Sequence, residues 1–149
     1  MTAWCHPLNS TLRGVTHAVL RIGTALLFIE HGIQKFGYLG GMGAPCESCS
    51  WLAVGNTAAG IGLTRLIVAA WMELIGGALL IVGFQTRAVA AILFLEMIVA
   101  FFVGPHFPRG GSPLQNGGEI PLLYALVFLW LAAAGAGPLS VDERMQLKR

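Results

Sequence analysis

Four long apolar stretches dominate the sequence, and shorter segments rich in glycine, proline and polar residues separate them. The apolar stretches cover residues 16–36, 59–83, 86–104 and 119–137. At about 1.5 Å of rise per residue, a helix over the shortest stretch comes close to the ~30 Å hydrocarbon thickness of a bilayer. The pattern therefore predicts an all-α fold, an antiparallel four-helix bundle that is integral to a membrane.

The composition leaves little room for anything besides this bundle. Of the 149 residues, 56% are hydrophobic and only 11% are charged, and the mean hydropathy is +0.73. Four membrane helices use nearly the whole chain, so we expect a single domain over residues 1–149 and no soluble or nucleotide-binding domain. The formal net charge of +2 is spread over the connections, which indicates membrane topology rather than binding to nucleic acid.

The basic residues predict the orientation of the bundle. Five of them lie on the side of the two termini: Arg13, Arg87, Arg144, Lys148 and Arg149. Lys35 and Arg109 lie toward the other side. Because basic residues are enriched in cytoplasmic connections, we expect both termini in the cytoplasm.

Two carboxylates, Glu73 and Glu96, lie near the middle of apolar stretches. An ionised carboxylate at the centre of a bilayer costs about 2.5–3.5 kcal/mol, so such a residue usually faces other helices, takes a partner or holds a proton. We expect Arg21, on the small-residue seam of the first helix, to be the counter-ion of Glu73. The alternative is that such a pair only fixes the register of the helices.

Further polar residues are predicted to meet at the outer end of the bundle. Antiparallel crossing brings Arg65 level with His31 and Lys35, and the start of the fourth stretch adds Asn116 and Glu119. Such a polar chamber offers hydrogen-bond donors to the carbonyl groups of a quinone, and His31 is the best candidate for a donor or proton carrier. Alternatively, Lys35 extends toward the interface and His31 satisfies a backbone carbonyl.

His31, His106 and Glu119 are the residues from which a metal site could be built. Metal ligands on helices usually come as closely spaced His pairs or as a Glu-x-x-His element. The sequence has neither pattern at these positions. We therefore expect no metal site.

Cys46 and Cys49 form a Cys-x-x-Cys pair in the long connection predicted to lie outside the cytoplasm. A disulfide can persist there, whereas Cys5 is predicted to lie on the reducing side. The pair is typical of thiol-disulfide exchange, and it is equally typical of a structural loop disulfide. The sequence leaves both alternatives open.

Several motifs in combination resemble the DoxX family. They are Arg21-x-Gly23, His31-Gly32-x-Gln34-Lys35-Phe36-Gly37, Glu73-Leu74-Ile75-Gly76-Gly77, Gly83-Phe84-Gln85-Thr86-Arg87, Asn116-Gly117-Gly118-Glu119 and Gly135-x-Gly137. The resemblance implies a four-helix protein of the bacterial cytoplasmic membrane with a redox role, because the family takes its name from a subunit of thiosulfate:quinone oxidoreductase. It also implies functional roles for Arg21, His31, Lys35, Glu73, Arg87, Asn116 and Glu119.

The predicted function is that of the membrane subunit of a quinone-linked oxidoreductase. Electrons would pass from a sulfur compound or a soluble partner to quinone. The candidate residues are His31, Glu73 and Glu96 for catalysis and proton movement, and Arg21, His31, Lys35, Arg65, Asn116 and Glu119 for binding the quinone. Two alternatives remain, a non-catalytic anchor or assembly subunit of a larger membrane complex and a thiol-disulfide oxidoreductase that uses Cys46 and Cys49. The expected partners are the lipid bilayer and other subunits.

Overall fold

The computed structural model describes residues 7–39, 61–103, 106 and 110–146, and all the regular structure in these segments is helical. The helices are α1 (Pro7–Leu39), α2 (Ile61–Val82), α3 (Thr86–Phe102), α4 (Pro113–Asn116), α5 (Glu119–Ala134) and α6 (Val141–Gln146). The predicted all-α class is confirmed for the described part of the chain.

Two helical segments, Ser10–Phe36 in α1 and Arg65–Val82 in α2, are long and apolar enough to cross a membrane. Helix α5 is apolar but shorter. It ends three residues before the predicted limit, because Gly135 has a φ of 87° and the chain leaves the helix in a conformation that favours glycine. Four membrane crossings with both termini in the cytoplasm therefore stay a prediction.

The long helices pack mainly in two pairs, α1 on α2 and α3 on α5, and the contact between α2 and α3 joins the pairs. Small residues permit this close contact: a methyl group at Gly76 of α2 would collide with Leu93 of α3. The shared core consists of Ala25, Phe28, Leu80, Ala90, Leu93, Met97, Ala125, Phe128 and Leu131. Phe28 and Phe128 meet edge to face at its centre, with ring centroids 4.8 Å apart, an arrangement that aromatic rings prefer.

Arg21 is fully buried beside the turn that joins α2 to α3, which we name the α2–α3 turn (Gly83–Gln85). Its guanidinium donates to the carbonyls of Leu80 and Ile81 at 2.8 and 3.2 Å, and to that of Leu139 at 2.9 Å. The carbonyls at the C-terminal end of a helix carry partial negative charge and lack helical partners, so a cation is favourable there.

The predicted ion pair between Arg21 and Glu73 is therefore wrong. Arg21 bonds to backbone carbonyls at the turn, and Glu73 bonds instead to Lys35. The sequence pattern also predicted that Arg21 and Glu73 lie on packed helix faces. This prediction is confirmed, since both residues are buried. It did not reveal that the end of α2 and the chain around Leu139 would supply acceptors for the guanidinium.

Asp142 holds the segment after α5 against the α2–α3 turn. Its two carboxylate oxygens accept hydrogen bonds from the backbone N–H groups of Gln85 and Thr86, at 2.8 and 2.9 Å. Thr86 is the first residue of α3, so the carboxylate satisfies donors that have no partner inside the helix. Asp142 thus caps α3 from a distant part of the sequence.

We expect Asp142→Ala to lower the free energy of unfolding by about 1–2 kcal/mol, the usual cost of losing a helix cap. Asp142→Asn keeps one side-chain oxygen and should lose less. Thermal melting of the purified protein in detergent, followed by circular dichroism, measures both changes. A melting temperature of Asp142→Ala equal to that of the wild type would show that the cap contributes nothing to stability.

Candidate functional site

A cavity of about 780 Å³ lies at the end of the long helices opposite the α2–α3 turn. The C-terminal half of α1, the N-terminal half of α2, the C-terminal half of α3 and the first turns of α5 all contribute to its lining. Most of the lining is apolar. The side chains that can carry charge or donate hydrogen bonds are His31, Lys35, Arg65, Glu73, Glu96, His106 and Tyr124.

The cavity opens at the outer surface of the helices. Its apolar lining includes Val68 of α2 and Leu95 and Val99 of α3, whose side chains are between 51% and 60% exposed. In a membrane, side chains on this surface meet lipid rather than water. An apolar molecule in the bilayer can therefore reach the cavity from the side.

An ion pair lies in the cavity wall between α1 and α2. The Lys35 Nζ donates to both carboxylate oxygens of Glu73, at 2.6 and 2.5 Å. The Lys35 side chain is only 12% exposed and that of Glu73 only 3%, so the pair is shielded from solvent. Each charge needs the other, because an unpaired charge in such a place is strongly unfavourable.

The close approach of α1 to α2 places this pair. A methyl group at Gly32 would lie 3.0 Å from the Ala70 carbonyl oxygen and 3.2 Å from Cβ of Glu73. Gly32 precedes Lys35 by three residues, so both lie on the same face of α1. The glycine thus allows α2 to come near enough for the lysine to reach Glu73.

Glu96 of α3 lines the same cavity but has no such partner. Both of its carboxylate oxygens are buried, and neither makes a hydrogen bond within the part of the chain that the structure describes. Buried polar atoms are nearly always hydrogen-bonded, so each exception calls for an explanation. A ligand that completes the hydrogen bonding is one such explanation.

His31 and Tyr124 contact each other in the wall of the cavity. Their rings meet edge to face with centroids 5.6 Å apart, and Tyr124 also packs against Phe28 at 5.2 Å. His31 was predicted from the sequence as a site residue, whereas Tyr124 was not. Tyr124 could have been identified from the sequence, because it is a tyrosine within an apolar stretch and the hydroxyl of a buried tyrosine usually has a hydrogen-bond partner.

The other predicted residues fall in different places. Arg65 lines the cavity with an exposed side chain, whereas Glu119 is exposed and does not line it. Asn116 is buried at the end of α4, where its amide donates to the Gly110 carbonyl at 2.6 Å and its oxygen accepts from the Gly118 N–H at 2.8 Å. Arg21 lies at the opposite end of the helices, away from the cavity.

Within the described segments, no group of three or more His, Cys, Asp or Glu side chains is placed to hold a metal ion. His106 lines the cavity, and its Nδ1 lies 3.0 Å from the Asn116 carbonyl oxygen. Cys46 and Cys49 lie outside the described residues. The thiol-disulfide alternative therefore stays a prediction from the sequence alone.

Comparison with known proteins gives a family and two informative relatives. The sequence profile of the DoxX family matches residues 16–106. An uncharacterized protein of Haemophilus influenzae is 39% identical over 129 residues, which cover 85% of this chain and 88% of the relative. A Bacillus subtilis protein named "Putative oxidoreductase CatD" is 28% identical over 131 residues, which cover 83% and 82%. No solved structure gave a significant match.

Proposed function

Because this chain belongs to the DoxX family of membrane proteins, we propose that it is the quinone-binding membrane subunit of an oxidoreductase. The electron donor is a reduced sulfur compound or a soluble redox partner. The long helices cross the bacterial cytoplasmic membrane four times with both termini in the cytoplasm, and other subunits of the complex join them there. The name of the Bacillus subtilis relative supports the redox class of this proposal.

The observation that carries the proposal is the orphaned carboxyl group of Glu96 in an apolar cavity. The two oxygens lack partners among the described residues, and the surrounding lining is dominated by aliphatic and aromatic side chains. A ligand that fits must therefore be mostly apolar and must carry a small number of polar atoms. A quinone head group with its isoprenoid tail has this distribution of polarity.

The residues present fit a quinone on both of these counts. His31, Lys35 and Tyr124 offer N–H and O–H groups to carbonyl oxygens, and the exposed apolar side chains at the opening suit a tail that remains in lipid. A bound quinone supplies two-electron chemistry that consumes two protons. Among the lining residues His31 and Glu96 can exchange protons.

Removal of one donor tests this function. We expect His31→Ala to weaken the binding of a short-tailed ubiquinone analogue about fivefold, because one hydrogen bond contributes about 1 kcal/mol and 1.4 kcal/mol corresponds to a factor of ten. Binding is measured on the purified protein in lipid nanodiscs, by quenching of tryptophan fluorescence.

Glu30→Gln is the matched control. Glu30 is adjacent to His31 on α1, but it is exposed and does not line the cavity, so its substitution should leave the affinity unchanged. Equal affinities of the wild type and His31→Ala would contradict a quinone site at this cavity. The same holds if the wild-type protein binds no quinone at all.

A further inference from the structure

The buried charges in the wall of the cavity do not balance. Two carboxyl groups, those of Glu73 and Glu96, share a wall with one buried ammonium group, that of Lys35. Among the described residues the Lys35 ammonium donates both of its hydrogen bonds to Glu73. In a medium of low dielectric constant one ammonium compensates one carboxylate, so the second carboxyl group lacks a counter-charge.

Other polar groups face the cavity, but they do not supply that counter-charge. They are His31 and Lys35 from α1, Arg65 and Glu73 from α2, Tyr124 from α5 and His106 from the connection before α4. None of them donates a hydrogen bond to Glu96, because both Glu96 oxygens lack partners among the described residues. Arg65 is exposed, which leaves its guanidinium able to interact with water or lipid head groups.

From this imbalance we infer that Glu96 is an un-ionised carboxylic acid that donates its O–H to an acceptor oxygen of the ligand in the cavity. This inference rests on the proposed function and narrows the ligand class to apolar molecules that carry a carbonyl or a similar acceptor. The un-ionised acid removes the need for a second counter-ion. It also makes Glu96 a hydrogen-bond donor, whereas an ionised carboxylate only accepts hydrogen bonds.

Besides the number of charges, the surroundings of Glu96 also favour its un-ionised form. An ionised Glu96 would add a second negative charge to the wall that already holds Glu73, with nothing among the described residues to solvate it. Keeping the proton on Glu96 leaves the Lys35–Glu73 pair undisturbed. The un-ionised acid then favours a ligand with an acceptor oxygen, because a hydrogen bond from an unpaired O–H lowers the free energy more in an apolar cavity than in water.

Infrared spectroscopy of the protein in lipid nanodiscs tests the inference without any turnover. An un-ionised carboxylic acid has a C=O stretching band well separated from the bands of carboxylates. At neutral pH we expect the wild type to show one such band from the cavity, Glu96→Gln to lack it, and Lys35→Met to show a second one from Glu73. Addition of a short-tailed ubiquinone analogue should shift the Glu96 band to lower frequency.

The outcomes separate this inference from the proposed function. A wild-type spectrum with no band that Glu96→Gln removes would overturn the un-ionised state of Glu96, whether or not quinone binds. Quinone binding that leaves the band unshifted would overturn the hydrogen bond while leaving the quinone site in place. In a second measurement Glu96→Leu, which has no donor, should weaken quinone binding about fivefold, and Glu96→Gln should weaken it less. Equal affinities of these two variants would also overturn the hydrogen bond.

Discussion

Replacement of Arg21 by methionine should lower the free energy of unfolding by about 3 kcal/mol or more. Methionine has a comparable length and no charge, so the main loss is of the hydrogen bonds to the carbonyls of Leu80, Ile81 and Leu139. Hydrogen bonds that involve a charged group contribute about 1.5–3 kcal/mol each, and the Leu80 carbonyl is left in a buried position without this donor. Thermal melting in detergent, followed by circular dichroism, measures the loss.

Two further variants show whether the effect belongs to this position. Arg13→Met removes an arginine from an exposed position earlier in the same helix, so the melting temperature should hardly change. Arg21→Lys keeps the charge but loses the planar fork of donors, and should therefore recover only part of the stability. If Arg21→Met melts at the same temperature as Arg13→Met, the guanidinium does not hold the α2–α3 turn.

Replacement of Lys35 by methionine should cost about 3–5 kcal/mol at neutral pH, the usual penalty for removing one partner of a buried ion pair. The reason is that Glu73, whose side chain is 3% exposed, is left without a counter-charge. To stay buried Glu73 must take up a proton in place of its counter-charge, and the loss should shrink as the pH is lowered because this proton uptake then costs less. Melting curves over a series of pH values measure both effects.

The double variant Lys35→Met/Glu73→Met separates the charge from the packing. An apolar pair of similar volume is often as stable as the buried ion pair that it replaces, so the second substitution should restore most of the stability lost in the first. Arg65→Met, which removes an exposed cation from the same cavity, is the control and should change stability little. Additive losses in the double variant would mean that Lys35 and Glu73 do not stabilise each other.

Much of the fold could be predicted from the sequence because membrane helices have a strong local pattern. Length and hydrophobicity alone identify α1 and α2, and the small residues on their faces identify which sides pack. Helix limits were less accurate, since α5 ends at Ala134 and α1 begins at Pro7. Such limits depend on backbone conformations, such as the positive φ of Gly135, and hydrophobicity does not encode them.

In the candidate site, too, the sequence predicted part of the arrangement correctly and part of it wrongly. The sequence identified five of the ionisable residues that line the cavity as site candidates, namely His31, Lys35, Arg65, Glu73 and Glu96. It also paired Arg21 with Glu73 because both lie on the small-residue seams of their helices. Pairing between helices depends on their relative height and rotation, and a periodic pattern constrains only the face.

The sequence by itself determined that the described part of this protein is helical, that α1 and α2 are apolar over lengths suited to a bilayer, and which buried residues are ionisable. These properties follow from composition and spacing along one helix at a time. Only the tertiary structure decided that Lys35 rather than Arg21 neutralises Glu73, that Asn116 supports a connection while Tyr124 reaches the cavity, and that Glu96 is left without a partner. Those outcomes depend on distances between side chains from different helices, and packing sets these distances.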